Sequence, residues 1–130
     1  MDGIDTNVLI RYLVKDDPLQ YQQAVALLKS LPKIYLSPVV LVETVWVLSH
    51  CYQVTLERQC EALRELVGTR NFWVDNRQGT LRAIDDYAKG YDFADAMIGH
   101  HNQTNNCGTT WTFDRKASKL AEFSPVIPNN

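Results

Sequence analysis

Cysteine is scarce in this chain: Cys51, Cys60 and Cys107 are scattered, and no C-x-x-C pair occurs. That favours a reducing compartment with buried or incidental thiols over a disulfide framework or a cysteine zinc site. An excess of positive charge is also missing. Thirteen Lys and Arg face fifteen Asp and Glu, for a net charge of -2, which argues against a generally cationic nucleic-acid binder. It does not exclude a nuclease, because carboxylates that hold metal count as negative in the bare sequence. Long apolar runs are absent too: the longest, from Pro38 to Leu48, is interrupted by Glu43 and is too short to span a bilayer. No basic segment followed by an apolar stretch opens the chain, so no signal peptide is expected. Without repeats, low-complexity tracts or a linker, 130 residues read as one domain, 1–130. The protein is expected to be soluble, intracellular and cytoplasmic. No Ser/His/Asp or Cys/His arrangement suggests a nucleophilic enzyme. Asp2 and Asp5 are spaced wrongly for the D-x-D of an aspartyl-phosphate phosphatase.

What is present is a set of four acids, each beside a strongly apolar segment: Asp5 in I-D-T-N, Glu43 in V-V-L-V-E-T, Asp95 in D-F-A-D-A and Asp114 in T-F-D-R-K. Acids are costly to bury unless they are paired or hold a metal. Four so placed point to a carboxylate cluster for a hard divalent cation, and hence to phosphodiester chemistry.

The apolar pattern alternates strands with helices. A first strand ends at Gly3-Ile4-Asp5, and an apolar helical turn follows through Val14. Asp17-Pro18 starts a helix to Leu31 by a cap-then-proline device. After a strand at Ile34–Leu36, Ser37-Pro38 repeats that device for a helix to about Tyr52, apolar almost all round and so expected to be buried. Thr55 caps a third helix through Val67 with Leu56, Cys60, Leu63 and Val67 on one stripe. Phe72–Val74 is a strand. Gly79 to Lys89 is a helix with Leu81, Ile84 and Ala88 inward. Asp92 begins another helix, to about Gln103. Thr109–Thr112 is a strand, Arg115–Ala121 a short helix, and Phe123–Ile127 an edge strand before a frayed tail. This order predicts βαβ crossovers: a three-layer α/β/α, Rossmann-like fold with a central, mostly parallel sheet of four to five strands. Ligands bind at the carboxyl ends of such strands, where Asp5 and Asp114 are expected. Glu43 and Asp95 are expected to lean over the same edge from helices.

The blocks Asp5-Thr6-Asn7-Val8-Leu9-Ile10, Ser37-Pro38 through Glu43 to Leu48, Tyr91-Asp92-Phe93-Ala94-Asp95-Ala96 and Thr112-Phe113-Asp114-Arg115-Lys116 together resemble the PIN-domain family of nucleases, most closely its VapC-type toxin branch. Each block alone is weak; all four in this order are fairly specific. The resemblance implies a magnesium- or manganese-dependent endoribonuclease of a VapBC-type toxin–antitoxin system. It implies Mg2+ or Mn2+ as cofactor, RNA as substrate, a cognate VapB-type antitoxin whose tail blocks the acidic pocket, and a homodimer. Asp5, Glu43, Asp95 and Asp114 match the family's acidic positions, and Asn7 and Thr112 its supporting polar ones. Two rivals share the fold: a non-toxin RNA-processing nuclease and an inactive protein-interaction module.

Plainer readings stand beside these. Asp5 can cap the helix that follows it, and Glu43 can pair with an arginine. Asp92 reads as an N-cap that also serves as an outer metal contact, and Asp114 as a turn residue. Asn7 can be a helix-start residue and Thr112 a surface one. Arg11, Arg115 and Lys116 are candidate phosphate contacts, whereas Lys15 reads as part of a solvated face. His50, His100 and His101 are expected at the surface or at helix ends. Trp46 reads as core or dimer interface rather than a base-stacking platform, and Trp73 and Trp111 read as core. Tyr12, Tyr21 and Tyr35 pack by default.

Overall fold

The computed structural model describes residues 1–127, and the expected frayed tail after Ile127 lies outside them. The chain divides into two compact units, Met1–Asp75 and Asn76 onward.

In the first unit β1 (Asp2–Gly3), α1 (Thr6–Val14), α2 (Pro18–Ser30), β2 (Ile34–Leu36), α3 (Pro38–His50), α4 (Leu56–Gly68) and β3 (Phe72–Val74) follow in order. The three strands pair in parallel in the order β1-β2-β3, with Asp2 opposite Ile34 and Ile34 opposite Phe72. Parallel neighbours need long crossovers, which the helix pairs supply. Strand β1 has two residues, as Asp2-Gly3, poor β-formers, would lead one to expect. Leu9, Ile34, Leu36, Leu41 and Leu63 are almost wholly buried and form the heart of this unit.

The second unit holds α5 (Arg77–Ala88), α6 (Phe93–Thr104), β4 (Thr110–Thr112), a 3₁₀ turn (Ala117–Lys119) and β5 (Phe123–Pro125). Strands β4 and β5 pair in parallel, Thr110 opposite Phe123. The protein is thus α/β with parallel strands. Among the described residues there are five strands, and hydrogen bonding groups them three and two. Ala117, Leu120 and Phe123 form a small apolar cluster closed by Tyr91. Asn76 starts α5 from a left-handed backbone conformation, φ 48°, which asparagine tolerates well. Its side chain accepts from the Gly79 amide at 3.0 Å and donates to the Thr104 hydroxyl at 2.6 Å, so one residue fastens the start of α5 to the end of α6.

Several expectations change. Helix α3 is not buried all round: Val39, Glu43, Trp46 and His50 are exposed, while Leu41, Thr44, Val45 and Leu48 enter the core. Trp46 is 57% exposed, Trp73 52% and Trp111 67%, so none of the three is core. In a three-residue strand the flanking positions share a face, and Phe72 and Val74 take the buried one, turning Trp73 outward. Helix α5 begins at Arg77 and buries Thr80, Ala83 and Ile84, whereas Ala88 is exposed. The expected helix at Arg115–Ala121 is only the 3₁₀ turn. His100 is 5% exposed, not superficial, because it extends the buried stripe Phe93, Ala96, Met97 of α6 by one turn. Among the described residues no helix is long and apolar enough to cross a membrane.

Candidate active site

In the first unit, Asp5 lies two residues beyond β1 and caps α1: one carboxylate oxygen accepts the Val8 amide at 3.0 Å. Capping satisfies one of the orphan amides of the helix start and leaves the other oxygen of Asp5 outside that bond. Glu43 sits on the exposed stripe of α3. Its partner is not an arginine but Thr6, whose hydroxyl donates to Oε1 at 2.8 Å. Asp5, Thr6, Asn7, Glu43, Trp46 and Val47 line one open cavity of 480 Å³. Thr6, which sequence reasoning passed over, holds an acid here; its place between Asp5 and Asn7 in the first block was the available signal. Asn7 lines the cavity with the two acids.

In the second unit, Asp92 caps α6 by accepting the Asp95 amide at 2.9 Å. Asp114, two residues beyond β4, accepts the Ala117 amide at 2.8 Å and so begins the 3₁₀ turn. Thr112 does not orient a carboxylate: its hydroxyl accepts the Asp114 backbone N–H at 2.9 Å and fixes the main chain. Asp92, Asp95, Asp114, Lys116 and Tyr91 are among the residues around a small cavity of 60 Å³. Burial pushes the Asp95 carboxyl above its ordinary pKa, and the like charges of Asp92 and Asp114 push it further. A group crowded in this way gains from a cation.

The candidate cations differ in their freedom. Arg11 is held by Asp16 at 2.9 Å and by the Tyr52 hydroxyl at 3.2 Å. The Tyr52 bond, then the Asp16 bond, keeps its guanidinium above its ordinary pKa. Reaching a phosphate would mean leaving both. Lys116 lies over the Tyr91 ring, 5.8 Å from its centroid, at the edge of the small cavity, and Arg115 is exposed. Lys15 stands 5.1 Å over Tyr21, Tyr12 packs on Phe72, and the Tyr35 hydroxyl donates to Asp75 at 2.5 Å.

A third group was not expected. Asp86, His100 and Glu122 each place one potential ligand atom within 4.8 Å of the others. His100 Nε2 lies 2.9 Å from Asp86, while Nδ1 is 3.5 Å from Glu122, an ion-pair distance without hydrogen-bond geometry. The two nitrogens thus address different carboxylates, and a cation would take only one of them.

These features define a class: an α/β protein with parallel strands, carrying exposed or half-exposed carboxylates just beyond β1 and β4 and on the helices α3 and α6. A model of the PIN domain matches residues 4–123, and the chain belongs to the PIN domain family. Membership carries a nuclease fold, a nucleic-acid substrate class and, typically, a divalent cation. No curated protein matches the chain.

Proposed function

We propose that the chain is a metal-dependent endoribonuclease whose Asp5, Glu43, Asp95 and Asp114 hold Mg2+ or Mn2+, and that it is the toxin of a VapBC-type pair. The observation that carries this reading is the gathering of Asp92, Asp95 and Asp114 around one small cavity, where burial first and the neighbouring carboxylates second push the Asp95 carboxyl above its ordinary pKa. The donor set agrees: every candidate ligand is a carboxylate oxygen, the type hard divalent cations take. Bound there, the cation supplies water activation and stabilisation of the leaving oxygen in phosphodiester hydrolysis.

The chain's own residues do the rest. Thr6 orients Glu43, and the Val8 amide orients Asp5, so both carboxylates enter the cavity with restricted rotamers. Thr112 fixes the backbone of Asp114. Arg115 and Lys116, exposed beside Asp114, would take phosphate oxygens. The family match spans 4–123, which supports one nuclease domain over the whole chain. Cognate antitoxin, homodimer and cytoplasmic location belong to the same proposal.

The test is cleavage of labelled structured RNAs, including transfer RNA and ribosomal fragments, by protein free of any partner. Reactions run with magnesium, manganese or chelator, and with Asp5→Asn. Cutting that needs the metal and disappears in a folded variant is the expected result. Cutting that persists in chelator, or in Asp5→Asn, overturns the proposal.

A further inference from the structure

Helix α3 leaves one stripe uncovered. Val39, Glu43, Trp46 and His50 are all exposed, and their spacing of four, three and four residues sets them on one helical face. Trp46 is the costly member, because an indole left in water forgoes the stabilisation that burial would give. It is also ordered. The His50 imidazole stacks on it with 4.5 Å between centroids and 16° between planes. His50 Nδ1 in turn lies 2.9 Å from the Trp46 carbonyl oxygen, so the backbone of the same turn holds the stacking ring. One face of the indole is braced, yet more than half of the residue stays accessible. This braced indole lines the same cavity as Asp5 and Glu43.

We propose that Trp46, braced by His50, is a stacking platform for one base of a single-stranded RNA whose phosphate lies at Asp5 and Glu43. The inference rests on the nuclease reading above and adds to it the side chain that positions a base of the substrate. A nucleotide presents a charged phosphate and a flat apolar base a few ångströms apart. The cavity offers both complements: carboxylates that would hold a cation to attract the phosphate, and an indole face for the base. Every base has a π-face, so such a platform tolerates sequence, but it demands bases free of a duplex. Trp46 binds and positions; it takes no part in proton transfer. A protein occupant fits less well. A stable protein interface takes roughly 800 Å² per partner, and on this face the helix adds only the smaller Val39 to Trp46, while Leu41, Val45 and Leu48 are turned into the core.

The test uses the full chain, with calcium in place of magnesium for binding and with magnesium for cleavage. Binding is read by anisotropy on a single-stranded RNA, on its duplex, and on copies carrying one abasic nucleotide at each position in turn. Trp46→Ala should weaken single-strand binding about 10- to 100-fold, the span expected for losing one base–aromatic stack. It should raise KM more than it lowers kcat, and Trp46→Phe should recover most of the loss. In the wild type one abasic position should weaken binding, and Trp46→Ala should be indifferent to that position. Equal binding by wild type and Trp46→Ala overturns the inference. So does a loss in the variant that is the same for intact and every abasic RNA. A variant that binds RNA normally but changes mass in solution assigns the stripe to a second copy instead. A wild type that cuts RNA while Trp46→Ala cuts it equally well sinks the platform alone. A wild type that neither binds nor cuts any RNA sinks the nuclease reading and the platform with it.

Discussion

At Asp5 one oxygen is committed to the Val8 amide, so two substitutions separate its two roles. Asn caps as well as Asp but lacks the charge a cation needs. Asp5→Asn should therefore melt like wild type while cleaving no RNA. Asp5→Ala should lose the cap as well and fall by about 1 kcal/mol in a denaturant titration. Equal melting of the two variants would remove the capping role. Asp95 makes a prediction with a sign. Its folded-state pKa lies above the ordinary one, so its ionisation costs stability. The cost is absent below the ordinary aspartate pKa of about 3.9, sets in as pH rises through it, and is complete above the raised folded-state value. Without metal, Asp95→Asn should therefore melt higher than wild type near neutral pH, and the gap should close on acidification. A pH series of thermal melts in chelator checks this, and a variant that melts no higher at any pH would refute the crowding. The acids themselves were legible as sequence, because carboxylates beside apolar blocks are conspicuous. Their partners were not: nothing local says that Glu43 meets Thr6, thirty-seven positions away, or that His100 meets Asp86 and Glu122.

The helix starts were the most legible elements, since Asp17-Pro18, Ser37-Pro38, Thr55 and Asp92 combine a capping side chain with the residues that follow it. Their exposed faces were less so. Helix α3 is apolar almost all round, and a pattern without contrast hides which stripe stays wet; Glu43 was the one mark of it. The three-residue strands carry too short a pattern to say which of Phe72 and Trp73 turns inward. One packing requirement does show at the element level. A Cβ on Gly99 would lie 2.6 Å from Phe123 Cε2 and 3.3 Å from Glu122 Cβ. Alanine favours a helix over glycine by about 1 kcal/mol, but forcing α6 away from Phe123 costs about 1–3 kcal/mol. Gly99→Ala should therefore lower the melting temperature by a few degrees. Unchanged melting would show that α6 and Phe123 can part freely.

For the molecule as a whole, the proposed site would make a divalent cation a stabilising ligand. A cation that binds only the folded chain stabilises it by about 2.7 kcal/mol at a hundredfold excess over Kd. Magnesium or manganese should raise the melting temperature of the wild type, chelator should reverse the rise, and Asp95→Asn should blunt it. A wild type whose melting ignores both ions would count against any resident metal. The capping of helices and turns by the same acids has one more consequence. The amides of Val8, Asp95 and Ala117 each donate to a candidate carboxylate, on Asp5, Asp92 and Asp114 respectively. Their proton chemical shifts are therefore built-in reporters. When a cation draws charge from those oxygens, the three amide resonances should move together in a titration followed by nuclear magnetic resonance, with no label attached and no substrate present.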